Sequence, residues 1–174
     1  MSTRHEDDWD TRVGAVWERV ADLDPTTLVA TIDALALERA ADDPRALFER
    51  ACARDTAGRE TEAEPLYRAA LASGALDDYR RARATIQLAS TLRILGQLDE
   101  SERLLVAELD RHLAPGHSRE LHDEARATLA LTFLEQGRAA EAAGLALSAL
   151  APRLSRYNRS MAANAARWAG KTRN

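Results

Sequence analysis

Three glycines punctuate this chain at almost equal intervals. Gly58, Gly96 and Gly137 each close an apolar stripe of helical period, and the same residue types recur at fixed offsets from each. Seven residues before them stand Ala51, Ala89 and Ala130; five residues after them stand Ala63, Ser101 and Ala142; thirteen after them stand Leu71, Leu109 and Leu150. The glycines lie 38 and 41 residues apart, within the range of helical solenoid repeats. Glycine takes φ > 0 without steric cost and so ends a helix cleanly. The small residues have a mechanical reason, because a large side chain where two helices cross would push the axes apart. A chain punctuated in this way is restricted to antiparallel helix pairs.

The central pair, Asp77 to Leu113, shows the pattern most clearly. Thr85, Leu88, Ala89, Leu92 and Leu95 line one face of its first helix. After Gly96, Asp99 with Glu102 reads as a capping box, and Leu104, Leu105, Leu109 and Leu113 face back inward. Upstream, residues 1–43 read as an N-terminal helix pair or degenerate repeat. Met1 to Asp7 are polar and expected to be mobile. A first helix follows from Asp8 to about Asp22, carrying Trp9, Val13, Val16, Trp17 and Val20, and a second starts at Asp24-Pro25 and runs to about Ala41. Asp43-Pro44 repeats that start signal. Residues 44–152 then divide into three repeats, 44–76, 77–114 and 117–152, with Pro65 inside the second helix of the first and Ser118 as a cap for the third. Residues 153–174 hold a capping helix, about Asn158 to Ala169 with Met161, Ala165 and Trp168 inward, and a tail. The whole is expected to be one continuous domain.

Composition narrows the function classes. Hydrophobic residues make up 45% of the chain but aromatics only 5%, so alanine and leucine carry the packing, which suits closely spaced helices better than a sheet. A net charge of −4 argues against a general nucleic-acid binder, DNA included, and against an anionic-membrane binder. No signal-like start or long apolar run is present, so a cytoplasmic protein is expected. The single cysteine, Cys52, excludes an internal disulfide. Lys171 is the only lysine, an arginine bias of the kind produced by GC-rich bacterial genomes.

The segment Gly58 to Leu71, with Ala63, Tyr67, Ala70 and Leu71, resembles the tetratricopeptide repeat family. The run AEPLYRAAL, then IQLASTLRILG, then PRLSRYNRS resembles its bacterial group 5 domain, over roughly Pro44 to Trp168. Ser101 and Glu108 depart from the pattern by replacing two alanines, Ala146 stands where a bulky residue is usual, and the consensus tryptophan and tyrosine of the first helices are missing. The resemblance implies an all-α fold, a right-handed α-α superhelix of antiparallel helix pairs closed by the N-terminal pair and the C-terminal helix. Some members hold a peptide C-terminus in a two-carboxylate clamp of lysines and asparagines. Here those positions are Phe48, Cys52, Ile86 and Ser90, so the clamp is absent.

In such a fold the first helices line a concave surface. Facing away from the core stripe are Arg83, Gln87, Ser90 and Arg93 on the central helix, Arg45, Phe48, Cys52 and Asp55 before it, and Glu124, Ala127, Leu131 and Leu134 after it. Arginine forks beside apolar residues suit an acidic, partly apolar peptide segment; the plain alternative is a solvated face that binds nothing. The basic cluster Arg153, Arg156, Tyr157, Asn158 and Arg159 could hold phosphate or RNA, but helix capping explains it as well. His112, His117 and His122 have metal-like spacing, yet no cysteine or paired carboxylate completes a set, and surface histidines are expected. Cys52 has no histidine base near it in sequence, and no phosphate loop or hydrolase motif occurs. The expectation is a non-enzymatic scaffold without cofactor or metal that binds a protein or peptide at Arg45, Phe48, Cys52, Arg83, Gln87, Ser90, Arg93, Glu124 and Leu131. The alternatives are a self-associating structural protein, joined through the N-terminal stripe or the C-terminal helix as a homodimer, and an RNA or acidic-ligand binder.

Overall fold

The structure, a computed structural model, describes residues 3–169. Among these, every regular element is helical: α1 (Thr3–Glu18), α2 (Pro25–Ala36), α3 (Pro44–Thr56), α4 (Glu60–Ala72), α5 (Asp78–Ile94), α6 (Leu98–Leu113), α7 (His122–Glu135), α8 (Ala139–Leu150) and α9 (Asn158–Ala169), with 3-10 turns at Val20–Asp22 and Ala151–Arg153. Within each unit the helices pack in sequential antiparallel pairs. Contacts divide the chain into two units, Met1–Arg80 and Arg81–Asn174.

The three glycines do what their spacing predicts. Their φ values are 69°, 76° and 77° at Gly58, Gly96 and Gly137. At each, the following amide reaches back five residues: Arg59 N–H to Arg54 O and Gln97 N–H to Leu92 O, both 2.8 Å, and Arg138 N–H to Phe133 O, also 2.8 Å. Each glycine's own amide bonds three residues back. This is the Schellman pattern, which satisfies carbonyls that a helix end leaves orphaned. The Asp-Pro starts also hold. The Asp24 carboxylate accepts from the amides of Thr26 and Thr27, and that of Asp43 from Arg45 and Ala46.

Other boundaries differ. The first helix begins at Thr3 rather than Asp8, while Met1, Ser2 and the tail beyond Ala169 lie outside the described residues. Asp99 is not a cap: α6 starts at Leu98 behind Gln97, which makes no side-chain cap bond, and Glu102 bonds Arg138 and Gln136 instead. Ser118 caps only a turn, accepting from Glu120 N at 3.2 Å, and α7 starts four residues later at His122. Leu113 and Trp168, expected inward, keep 60% and 46% of their surface in solvent, whereas Ala165 is buried.

In the first unit, Trp9 and Val13 of α1 close over Leu28, Val29 and Ile32 of α2 and Ala46 and Ala53 of α3, with Val16, Trp17 and Val20 packed alongside. In the second, Ile86 and Ala89 of α5, Leu105 of α6, Ala125, Leu129, Ala130 and Phe133 of α7 and Ala142 of α8 form one core. Ala51, Ala89 and Ala130, and their counterparts Ala63, Ser101 and Ala142, are all buried. Ser101 shows why its position tolerates a hydroxyl: Oγ donates to Ala89 O at 2.7 Å and lies 3.0 Å from Thr132 Oγ1. Its polar atom is satisfied where α5, α6 and α7 meet.

Candidate functional site

Arg45, Phe48 and Cys52 belong to the first unit, the other expected ligand residues to the second. On α3, Arg45 is half-buried and donates to Asp10 Oδ2 at 3.1 Å. Phe48 and Cys52 are buried, a correction to their expected place on an open face. Because α2 and α4 both pack on α3, that helix buries much more than one stripe. The Phe48 ring lies 6.3 Å from that of Tyr67. Tyr67 in turn donates to Asp55 Oδ2 at 3.3 Å, and burial pushes its phenol well above the usual range. The clamp position Ile86 is also buried.

In the second unit, α5 and α7 lie side by side, since Ile86 and Ala89 share a core with Leu129, Ala130 and Phe133. Arg83, Gln87 and Ser90 are half-buried on α5. On α7, Glu124 and Ala127 are exposed, and Leu131 and Leu134 keep 47% and 52% of their surface in solvent. Arg93 is not open to an incoming carboxylate as expected, because its guanidinium already pairs with Glu135 of α7. Glu135 was legible only indirectly: it lies four residues after Leu131 and so shares its face. The arrangement can hold a segment by apolar contact along α7 and by hydrogen bonds from α5. Among the described residues no three histidine, cysteine, aspartate or glutamate side chains gather to hold a metal.

A tetratricopeptide repeat family model matches residues 44–168. The chain belongs to the tetratricopeptide repeat family. No curated protein and no solved structure matches it. Tetratricopeptide repeats are helical repeats that mediate protein interactions and are typically non-catalytic. The departures from the repeat pattern noted at Ser101 and Glu108 both fall on buried polar side chains. Two histidines also depart from expectation. His112 and His122 are buried, not on the surface, and with Glu108 and Arg81 they form a cluster that spacing alone did not reveal. The basic run around Tyr157 is exposed; Arg153 pairs with Asp123 at 3.1 Å, and the Tyr157 carbonyl accepts from Met161 N–H at 2.8 Å, beginning α9.

Proposed function

We propose that this chain is a non-enzymatic scaffold that binds a protein segment along the α5–α7 face of its second unit. The observation that carries this reading is the pair of exposed leucines on α7, Leu131 and Leu134, on a helix that the Arg93–Glu135 pair ties to α5, whose Arg83, Gln87 and Ser90 are half-buried. Apolar side chains rimmed by hydrogen-bonding groups mark interaction surfaces. The segment that fits is partly apolar with an acidic group opposite Arg83. At the far end it meets the Arg93–Glu135 pair, where a second carboxylate would have to displace Glu135. The acidic balance of the chain disfavours DNA and anionic membranes as partners. No helix among the described residues is long and apolar enough to cross a membrane, which agrees with the cytoplasmic setting proposed here. Self-association through the N-terminal stripe has less support, because Trp9 and Val13 are spent on the first unit's own core. Trp168 on α9 remains a half-exposed aromatic for that alternative.

Affinity capture from the native lysate tests the reading, comparing wild type with a Leu131→Glu/Leu134→Glu double variant at the two exposed leucines. A partner held by wild type should be lost by the variant while Tm stays within a few degrees, since surface substitutions rarely exceed about 0.5 kcal/mol. Retention of the same partner by the variant would make the face a solvated bystander. A mass that rises with concentration in light scattering would favour self-association. Arg93→Glu is the wrong probe, because it would set two carboxylates against each other.

A further inference from the structure

His112 and His122 keep only 2% and 7% of their surface exposed, with rings 5.7 Å apart and tilted by 57°. His112 Nε2–H donates to Glu108 Oε1 at 2.8 Å. The same buried carboxylate accepts Arg81 Nη1 at 2.6 Å and Nη2 at 2.8 Å. Three imidazole nitrogens remain buried without a hydrogen-bond partner among the described residues: Nδ1 of His112 and both nitrogens of His122. Buried polar atoms are rarely left in this state, and imidazole is the side chain whose charge changes near neutral pH.

We propose that this histidine pair is a proton-sensitive latch: it holds the α6–α7 junction closed while His122 is neutral and releases it when His122 takes up a proton. Neutral rings can be buried at modest cost, but a buried charge needs a counter-charge. The groups facing His122 supply none that is uncommitted. On α6 stands His112. The Glu108 carboxylate beside His112 is already engaged with Arg81 of α5. In the segment before α7 stands Arg119, and on α7 itself stand Arg126 and Asp123. Asp123 is shared between Arg153, which follows α8, at 3.1 Å and Arg126 at 3.9 Å. His122 is also the first residue of α7, where the helix dipole disfavours a cation. Burial first, then Arg126 and Arg119, hold its pKa below the ordinary value of 6.5.

The sign follows from linkage. A folded-state pKa below the unfolded one means that the unfolded or opened state binds more protons as pH falls. The latch is therefore fully effective above about pH 6.5 and is lost progressively below it. The connection it spans is irregular. Residues 114–121 contain no helix longer than a turn, Pro115 interrupts the backbone donors, and Gly116 sits at φ 83°. Opening there separates the end of α6 from the start of α7 without breaking either helix.

Three measurements on the full chain test this. Histidine Cε1–H resonances followed by NMR from pH 8 to pH 5 should place His122 below the usual midpoint. Hydrogen exchange over residues 108–126, normalised to the intrinsic amide rate at each pH, should lose protection on acidification across the same range. Wild type and a His117→Gln control should each lose a few degrees of Tm between pH 7.5 and 5.5, and His122→Gln should lose less. The proposal is overturned if His122 titrates at or above the usual midpoint with protection over residues 108–126 unchanged by pH, or if His122→Gln keeps the full acid loss. Should His122→Gln not fold, the NMR titration and hydrogen exchange of wild type decide the matter.

Discussion

Ser101 occupies a position where the family pattern has alanine, and its hydroxyl is consumed by Ala89 O and Thr132 Oγ1. Ser101→Ala removes both bonds but strands neither partner, because Thr132 Oγ1 also bonds Thr128 O at 3.2 Å. The expected cost is therefore about 0.5–1 kcal/mol in denaturant unfolding. Ala89, on the other side of the crossing, is fully buried. Ala89→Leu should cost about 1–3 kcal/mol by overpacking. Ala107 on α6 is exposed and serves as the control. Ala107→Leu should change stability by less than about 0.5 kcal/mol, and equal losses for Ala89→Leu and Ala107→Leu would show the register to be wrong. These small residues were legible in the sequence because spacing alone fixes which of them meet at a crossing. Phe48, Cys52 and the histidines were not, because a helix flanked on both sides buries residues that a single-stripe reading assigns to solvent. Glu108 and Arg81 lie 27 residues apart, and nothing in local period joins them.

The helix ends were read correctly where one residue does the work and misread where neighbours compete. Glycine closes three helices in the same way because the left-handed turn needs no side chain. At Gly96 an added Cβ would meet nothing within 4 Å, so Gly96→Ala should cost only the backbone term, about 1–2 kcal/mol. Tyr157 is the converse case. It holds φ 64° with 76% of its surface exposed, and its carbonyl anchors α9. Tyr157→Gly keeps that backbone without the Cβ clash and should raise stability by about 1 kcal/mol in a thermal melt. The capping box expected at Asp99 fails because Glu102 is claimed by Arg138 on the other side of α7, a competition that no local pattern displays. The Asp43 cap adds a pH dependence. Burial works to raise its pKa, but the Arg39 fork and the amides of Ala46 and Arg45 outweigh it and hold the carboxyl below its ordinary 3.8. Its contribution is thus fully present above that value and is lost as pH falls below it. Asp43→Ala should cost about 1 kcal/mol at pH 7, and the gap to wild type should narrow in acid.

At the scale of the molecule, the division at Arg80–Arg81 falls inside α5, just after its first turn. Periodicity finds the helices but not this boundary, which depends on where contacts are dense. Each unit has its own core, and in a repeat fold stability is close to a sum of local terms. Ala89→Leu should therefore accelerate hydrogen exchange in α5 to α8 far more than in α1 to α3; a uniform loss would show the chain melting as one. The tryptophans give the same division a colour. Trp9 is buried with its indole N–H on Leu35 O at 2.9 Å, and Trp17 donates to Glu49 at 2.7 Å, both in the first unit. Trp168, on the last helix, is nearly half in water. Native emission is thus weighted toward the N-terminal unit at the blue edge of the spectrum and toward α9 at the red edge. An unlabelled sample excited at one wavelength carries a separate optical readout from each end of the chain.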